Sequence, residues 1–90
     1  MFYLSIVYEV SLKKGKNGKF GFTHTDGLIK KITKESSADS ANIGVGDLIF
    51  EVNGKKASQK RNVYKLMRDR KSGDSVRLKL YRKGKQVITI

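Results

Sequence analysis

The sequence predicts a mostly β fold with two helices. Three observations carry that reading. Short apolar runs of strand length recur along the chain, as in Leu48-Ile49-Phe50-Glu51-Val52 and Val76-Arg77-Leu78-Lys79-Leu80. Glycine-containing turns punctuate them, above all Asn53-Gly54, whose two residues tolerate the positive φ of a type I′ hairpin turn. One late segment instead places Val63, Leu66, Met67 and Arg70 at i, i+3, i+4 and i+7, the spacing of an amphipathic helix.

Taken in order, Met1-Phe2-Tyr3-Leu4-Ser5-Ile6-Val7-Tyr8 is apolar but has no basic leader and no small-residue cleavage pattern. It is also too short to span a bilayer, so it reads as a strand running to about Leu12. The Gly- and Lys-rich stretch from Lys13 to Gly18 is a turn, after which Lys19-Phe20-Gly21-Phe22 brings two aromatics to one face at i, i+2 spacing. A strand follows from Phe22 to Asp26, Gly27 breaks it, and Leu28 to Thr33 resumes. Ser36 then offers an N-cap for a short helix ending near Gly44. Gly46-Asp47 opens the next strand and Asn53-Gly54 closes it. Ser58 is expected to cap the longer helix, Gln59 to Arg70, which Ser72-Gly73 stops. Val76 to Leu80 alternates as a strand, Arg82 to Lys85 is expected to turn, and Gln86 to Ile90 to form a last strand.

Ninety residues without an obvious linker or internal repeat support one small domain over 1–90, with its core at about 9–82. With 38% hydrophobic and 31% charged residues the composition is that of a soluble globular protein. No cysteine is present and His24 is the one histidine, so neither a disulfide framework nor a Cys- or His-rich metal centre is expected; no cofactor is expected either. Catalytic signatures are equally lacking. Gly18-Lys19 is followed by Phe20 and Lys13 stands where a phosphate-binding loop needs its first glycine, while no nucleophile, base and acid assemble around His24. The chain reads as a non-enzyme.

Two segments together carry a resemblance. Lys19-Phe20-Gly21-Phe22 is similar to the glycine-hydrophobic-glycine-phenylalanine loop of PDZ domains, and Val45-Gly46-Asp47-Leu48-Ile49 running to Val52-Asn53-Gly54 resembles a later strand of the same family. The likeness extends from about Glu9 to Arg82. It implies a partly open antiparallel β-sandwich or barrel of five to six strands, capped by a short and a longer α-helix. It also implies an interaction module, a scaffold or adaptor, that takes the C-terminal peptide of a partner protein by strand addition between the Phe22–Asp26 strand and the Gln59–Arg70 helix. Carried over residue by residue, the resemblance assigns the peptide carboxylate to Lys19, Phe20, Gly21 and Phe22. The groove falls to Thr23, His24, Thr25, Gln59, Val63 and Leu66, with Leu66 facing the terminal side chain. Lys19 stands for the first glycine of the loop, and His24 occupies a position commonly aliphatic. For His24 two readings stay open: a neutral ring partly buried beside the groove, or a pH-sensitive contact to the ligand.

The net charge of +12 is the other strong signal. A solvated lysine-rich surface accounts for it, as does a field favouring acidic residues upstream in the peptide, through Lys14, Lys16, Lys60 and Arg61. The expected partners are therefore C-termini with a hydrophobic last residue, with anionic phosphoinositide membranes as an alternative. Nucleic acid is the weaker alternative: Gly18-Lys19-Phe20-Gly21-Phe22 also resembles the RNA-binding strand of cold-shock and RRM domains, but the chain continues Thr23-His24-Thr25 where an RRM has another aromatic. A cytoplasmic monomer is expected, peripheral to a membrane under the lipid reading. The hydrophobic terminus Ile88-Thr89-Ile90 could support weak head-to-tail self-association.

Overall fold

The computed structural model describes residues 2–15, 18–68 and 75–87, with backbone alone for 2–4 and 85–87. Six strands form one antiparallel sheet. In chain order the elements are β1 (Phe2–Lys13), β2 (Phe22–Thr25), β3 (Leu28–Ile32), α1 (Ser37–Ser40), β4 (Leu48–Val52), β5 (Lys55–Lys56), α2 (Val63–Arg68) and β6 (Ser75–Val87). The strands lie in the order β1-β6-β4-β3-β2 with β5 paired to β4, so the sheet does not close into a barrel and β2 ends one side of it.

Turn chemistry fixes the short connections. Asp26 and Gly27 at φ 49° and 90°, and Asn53 and Gly54 at φ 50° and 82°, form the two tight hairpins that join β2 to β3 and β4 to β5. Ser36 is the N-cap of α1, its Oγ accepting from the Asp39 amide at 3.2 Å. Asn42, at φ 61°, ends that turn in the left-handed conformation typical of a helix C-terminus.

Alternation along β6 buries Val76, Leu78 and Leu80 and turns Arg77 and Lys79 outward. These three pack with Leu12 of β1, Ile29 of β3, Ile49 and Val52 of β4 and Val63 of α2, all but completely removed from solvent. Each such side chain contributes roughly 1.5 to 3 kcal/mol by burial. A polar cluster braces this core. Asp47, 3% exposed, accepts from Arg82 Nε at 3.0 Å and Nη2 at 2.7 Å, from the Gly44 amide at 2.9 Å and from the Tyr8 hydroxyl. Burial would raise the Asp47 carboxyl, but the bonds from Arg82, Tyr8 and Gly44 outweigh it and hold the group below its ordinary value. Burial and the facing carboxylate push the Tyr8 phenol up to about 12.

Three expected elements differ. The short helix ends at Ser40, not near Gly44, because the chain turns left-handed at Asn42. No turn occurs at Arg82 to Lys85: β6 runs unbroken to Val87 because the long β1 supplies ladder partners along it, from Phe2↔Val87 to Lys13↔Ser75, with one register shift between Tyr3 and Ser5. The late helix starts at Val63, not Gln59. Ser58 caps a local turn instead, its Oγ accepting from the Arg61 amide at 3.1 Å while its own amide donates to the Arg61 carbonyl at 3.0 Å. Asn62 is the working cap, its Oδ1 accepting from the Lys65 amide at 3.0 Å. Residues 69 and 70, and the terminal Ile88-Thr89-Ile90, lie outside the described residues.

Candidate functional site

Between β2 and α2 lies a cavity of about 400 Å³, and its chemistry follows from which backbone groups β2 leaves unpaired. Thr33 donates to Gly21 O at 2.8 Å, so the next pair, Phe22↔Ile32, is of the non-hydrogen-bonded kind in an antiparallel ladder. The N–H and C=O of Phe22 therefore point to the open side. A bulge follows, and His24 pairs with Ile29, whose own amide and carbonyl are bonded to Asp47 O and the Gly46 amide. His24 thus also turns its backbone groups to the open edge. An extended chain laid beside β2 would meet Phe22 first and His24 next.

The loop before β2 closes one end of the cavity. Gly21, at φ +96°, sits against α1: a Cβ there would lie 2.0 Å from Ser36 Cβ. Only glycine lets the backbone pass this close. Phe20 O accepts from the Ala38 amide at 3.1 Å, and among the described residues neither the Phe20 nor the Gly21 amide donates within the chain. Lys14 lies over the Phe20 ring, 5.8 Å from Nζ to centroid, and lines the cavity with Lys19 and Arg68. Phe20 is buried and Phe22 half-buried.

Across the gap α2 presents Tyr64, Met67 and Arg68. The rings of Tyr64 and His24 stack with centroids 4.1 Å apart, and the Tyr64 hydroxyl donates to the His24 carbonyl at 2.6 Å. Phe22 lies 5.8 Å from His24 on the other side, so an aromatic row lines the floor beside the strand edge. The Gly27 amide donates to His24 Nδ1 at 3.0 Å, which requires that nitrogen to be unprotonated. Burial pulls the His24 pKa below its ordinary value, opposed in part by the Asp26 carboxylate. The ring is neutral near pH 7.

An open strand edge, a facing helix and a glycine loop at one end are assembled from residues 10–89, the span that the PDZ domain family model matches. The chain belongs to the PDZ domain family. It is also similar to the solved structure of the PDZ domain from choanoflagellate GIPC, at 25% identity and a TM-score of 0.63, over 92% of this chain and 99% of that one. No curated protein matches the sequence. Like other PDZ domains the chain is a protein-interaction module, and among its described residues no helix is long and apolar enough to cross a membrane.

Of the residues that the sequence points to, Lys14, Lys19, Phe20, Gly21, Phe22, Thr23 and His24 line this one cavity. Thr25 is exposed at the far end of β2 and does not. The helix residues are placed elsewhere. Val63 is 1% exposed in the core; Gln59 lies with Asp26 and Asn62 beside the β2–β3 turn; Leu66 faces a different concavity, together with Lys60 and Arg61. Lys16 lies outside the described residues. Tyr64, Met67, Arg68 and Thr33 line the cavity without having been expected there. The signal that could have found the first three is Asn62: in a helix capped there with Val63 inward, Tyr64, Met67 and Arg68 share a neighbouring face at i, i+3 and i+4.

Proposed function

We propose that this PDZ domain binds the C-terminal segment of a partner protein as an added strand on β2, with the peptide carboxylate held by the amides of Phe20, Gly21 and Phe22. The observation that carries this reading is the unpaired backbone of Phe22 at the open sheet edge, adjoining a loop whose Phe20 and Gly21 amides have no partner within the described chain. A hydrophobic last side chain would enter between Phe20, Phe22 and Met67. Its burial contributes roughly 1.5 to 3 kcal/mol. Charge-assisted bonds to the carboxylate contribute about 1.5 to 3 kcal/mol each. Against these stands an association cost of about 4 to 15 kcal/mol, so binding is reversible and of modest affinity. Lys14, Lys19 and Arg68 around the carboxylate end add a field that speeds encounter with acidic peptides and weakens with salt.

An amide titration followed by NMR tests this, using peptides with free hydrophobic C-termini and the same peptides C-terminally amidated. Shifts at Phe20 to Thr25 and at Tyr64 to Arg68 that disappear on amidation are expected. Equal binding of the two forms would remove the carboxylate from the recognition.

A further inference from the structure

The side of α2 turned away from the peptide cavity borders a second concavity, about 420 Å³, between the helix, the β4–β5 hairpin and the segment preceding the helix. Five cations line it: Lys55, Lys60, Arg61, Lys65 and Arg68, with Val52 and Leu66 as the apolar lining. No acidic residue is among the lining, and among the described residues the ion pairs of the chain lie elsewhere, at Arg77–Glu9, Lys79–Glu51 and Arg82–Asp47. Among the described residues, five like charges therefore face one space without a counter-charge. The arrangement is also held in place. The Ser58–Arg61 turn is closed by two hydrogen bonds, the Ala57 amide ties it to Phe50 O at 2.8 Å, and Lys65 Nζ reaches back to the Lys60 carbonyl at 3.3 Å. Lysines dispersed on a solvated face would have no reason to converge on a pre-set turn.

We propose that this concavity binds a compact polyphosphate, several phosphate groups on one small ring, as in the headgroup of a polyphosphorylated inositol lipid. Phosphate oxygens are the acceptors that guanidinium and ammonium groups recognise best, and five cationic side chains exceed what a single phosphate needs. Single-stranded nucleic acid fits less well, because no aromatic side chain lines the space to stack a base. The proposal does not rest on the peptide groove, although Arg68 borders both cavities.

The test uses the whole chain with two probes: soluble inositol trisphosphate, and phosphatidylcholine vesicles carrying a little phosphatidylinositol bisphosphate. Vesicles with phosphatidylserine at matched total charge, and a short single-stranded oligonucleotide, are the comparisons. Two variants of equal net charge are compared after their amide spectra have shown the fold intact. One is Lys60→Gln/Arg61→Gln/Lys65→Gln in the concavity; the other is Lys30→Gln/Lys31→Gln/Lys34→Gln at exposed positions of β3 and just beyond it. At about fivefold per cation near an anionic surface, the first should lose roughly a hundredfold in affinity and the second far less. Should the triple variant misfold, Arg61→Glu alone on its exposed side chain must weaken binding in the same sense. Binding to the soluble headgroup as well as to vesicles identifies a free inositol phosphate as a sufficient source; binding to vesicles alone identifies the lipid, and either result supports the site. Equal losses in the two variants, equal affinity for phosphatidylserine vesicles, tighter binding of the oligonucleotide, or no binding to either probe would overturn it.

Discussion

Tyr64 occupies a hydrogen-bond position that an added strand needs. Its hydroxyl donates to the His24 carbonyl at 2.6 Å, and that carbonyl is one of the groups β2 turns to the open edge. A peptide lying along β2 past Phe22 would bring one of its own amides to this carbonyl, in competition with the Tyr64 hydroxyl. A neutral hydrogen bond of this kind has a net worth of about 0.5 to 1.5 kcal/mol, so giving it up weakens the complex by roughly 2- to 13-fold. Tyr64→Phe keeps the ring that stacks on His24 and removes only the donor. We expect the variant to bind a peptide long enough to pass His24 roughly 2- to 13-fold more tightly, and to bind a peptide truncated at Phe22 with unchanged affinity. Titration calorimetry with the two peptides on both proteins reads the contrast. The free domain should lose about 1 kcal/mol of stability or less, since Tyr64 is 47% exposed, and this loss verifies that the bond exists in solution. A variant that is destabilised yet binds both peptides like the parent, or binds the longer one more weakly, would refute strand addition along His24.

Other expectations concern the loop, the brace and pH. Gly21→Ala places a methyl 2.0 Å from Ser36 Cβ at a backbone angle of +96°, and should cost at least about 2 kcal/mol in urea denaturation; adding Ser36→Gly should recover part of the loss, and no recovery would show that the clash is not the cause. Asp47→Asn removes the charge facing Arg82 and should lower stability by roughly 2 to 4 kcal/mol, seen as a melting temperature at least about 8 °C lower; a smaller change would mean that solvent replaces the Arg82 bonds at little cost. The folded His24 binds its proton less readily than the unfolded chain does, so stability should fall as pH drops below about 6.5; a His24→Phe variant should lose that slope, as read from urea midpoints. Asp47, held below its ordinary value, acts in a lower window: its contribution is complete above the unfolded carboxylate range and is lost as pH falls through the folded value, a step that Asp47→Asn should abolish.

Where local chemistry decides, the fold was legible in the chain. Asn53-Gly54 dictated a primed hairpin because few other pairs accept those angles, and Ser36 identified the short helix by its capping oxygen. The glycine loop was readable for the same reason, since two aromatics flanking a residue of positive φ leave few arrangements. Elements decided by distant partners were not legible. Arg82-Lys83-Gly84-Lys85 has the composition of a turn, yet β1 carries it through as strand by supplying a ladder from the far end of the chain. The helix face failed through a phase error. Val63, Leu66 and Met67 form a stripe, but the stripe alone does not say which edge faces the core and which the groove, and the competing caps Ser58 and Asn62 shift the start by several residues. An apolar pattern equally could not reveal that the Tyr64 hydroxyl seeks a strand carbonyl.

The unequal pairing of β6 has a consequence for how the molecule opens. From Leu78 to Tyr81 the strand lies between β1 and β4, whereas from Arg82 to Val87 it has β1 alone. Ile6, opposite Arg82 on that outer stretch, is 49% exposed, so its side chain adds little apolar burial there. Two-stranded ribbons are marginal by themselves. Arg82, bonded to Asp47, stands where the three-stranded part ends. Hydrogen exchange should therefore run at two rates along one continuous strand: amides from Leu78 to Tyr81 exchange only when the whole domain unfolds, and those beyond Arg82 through a local unzipping that leaves the cavity between β2 and α2 intact.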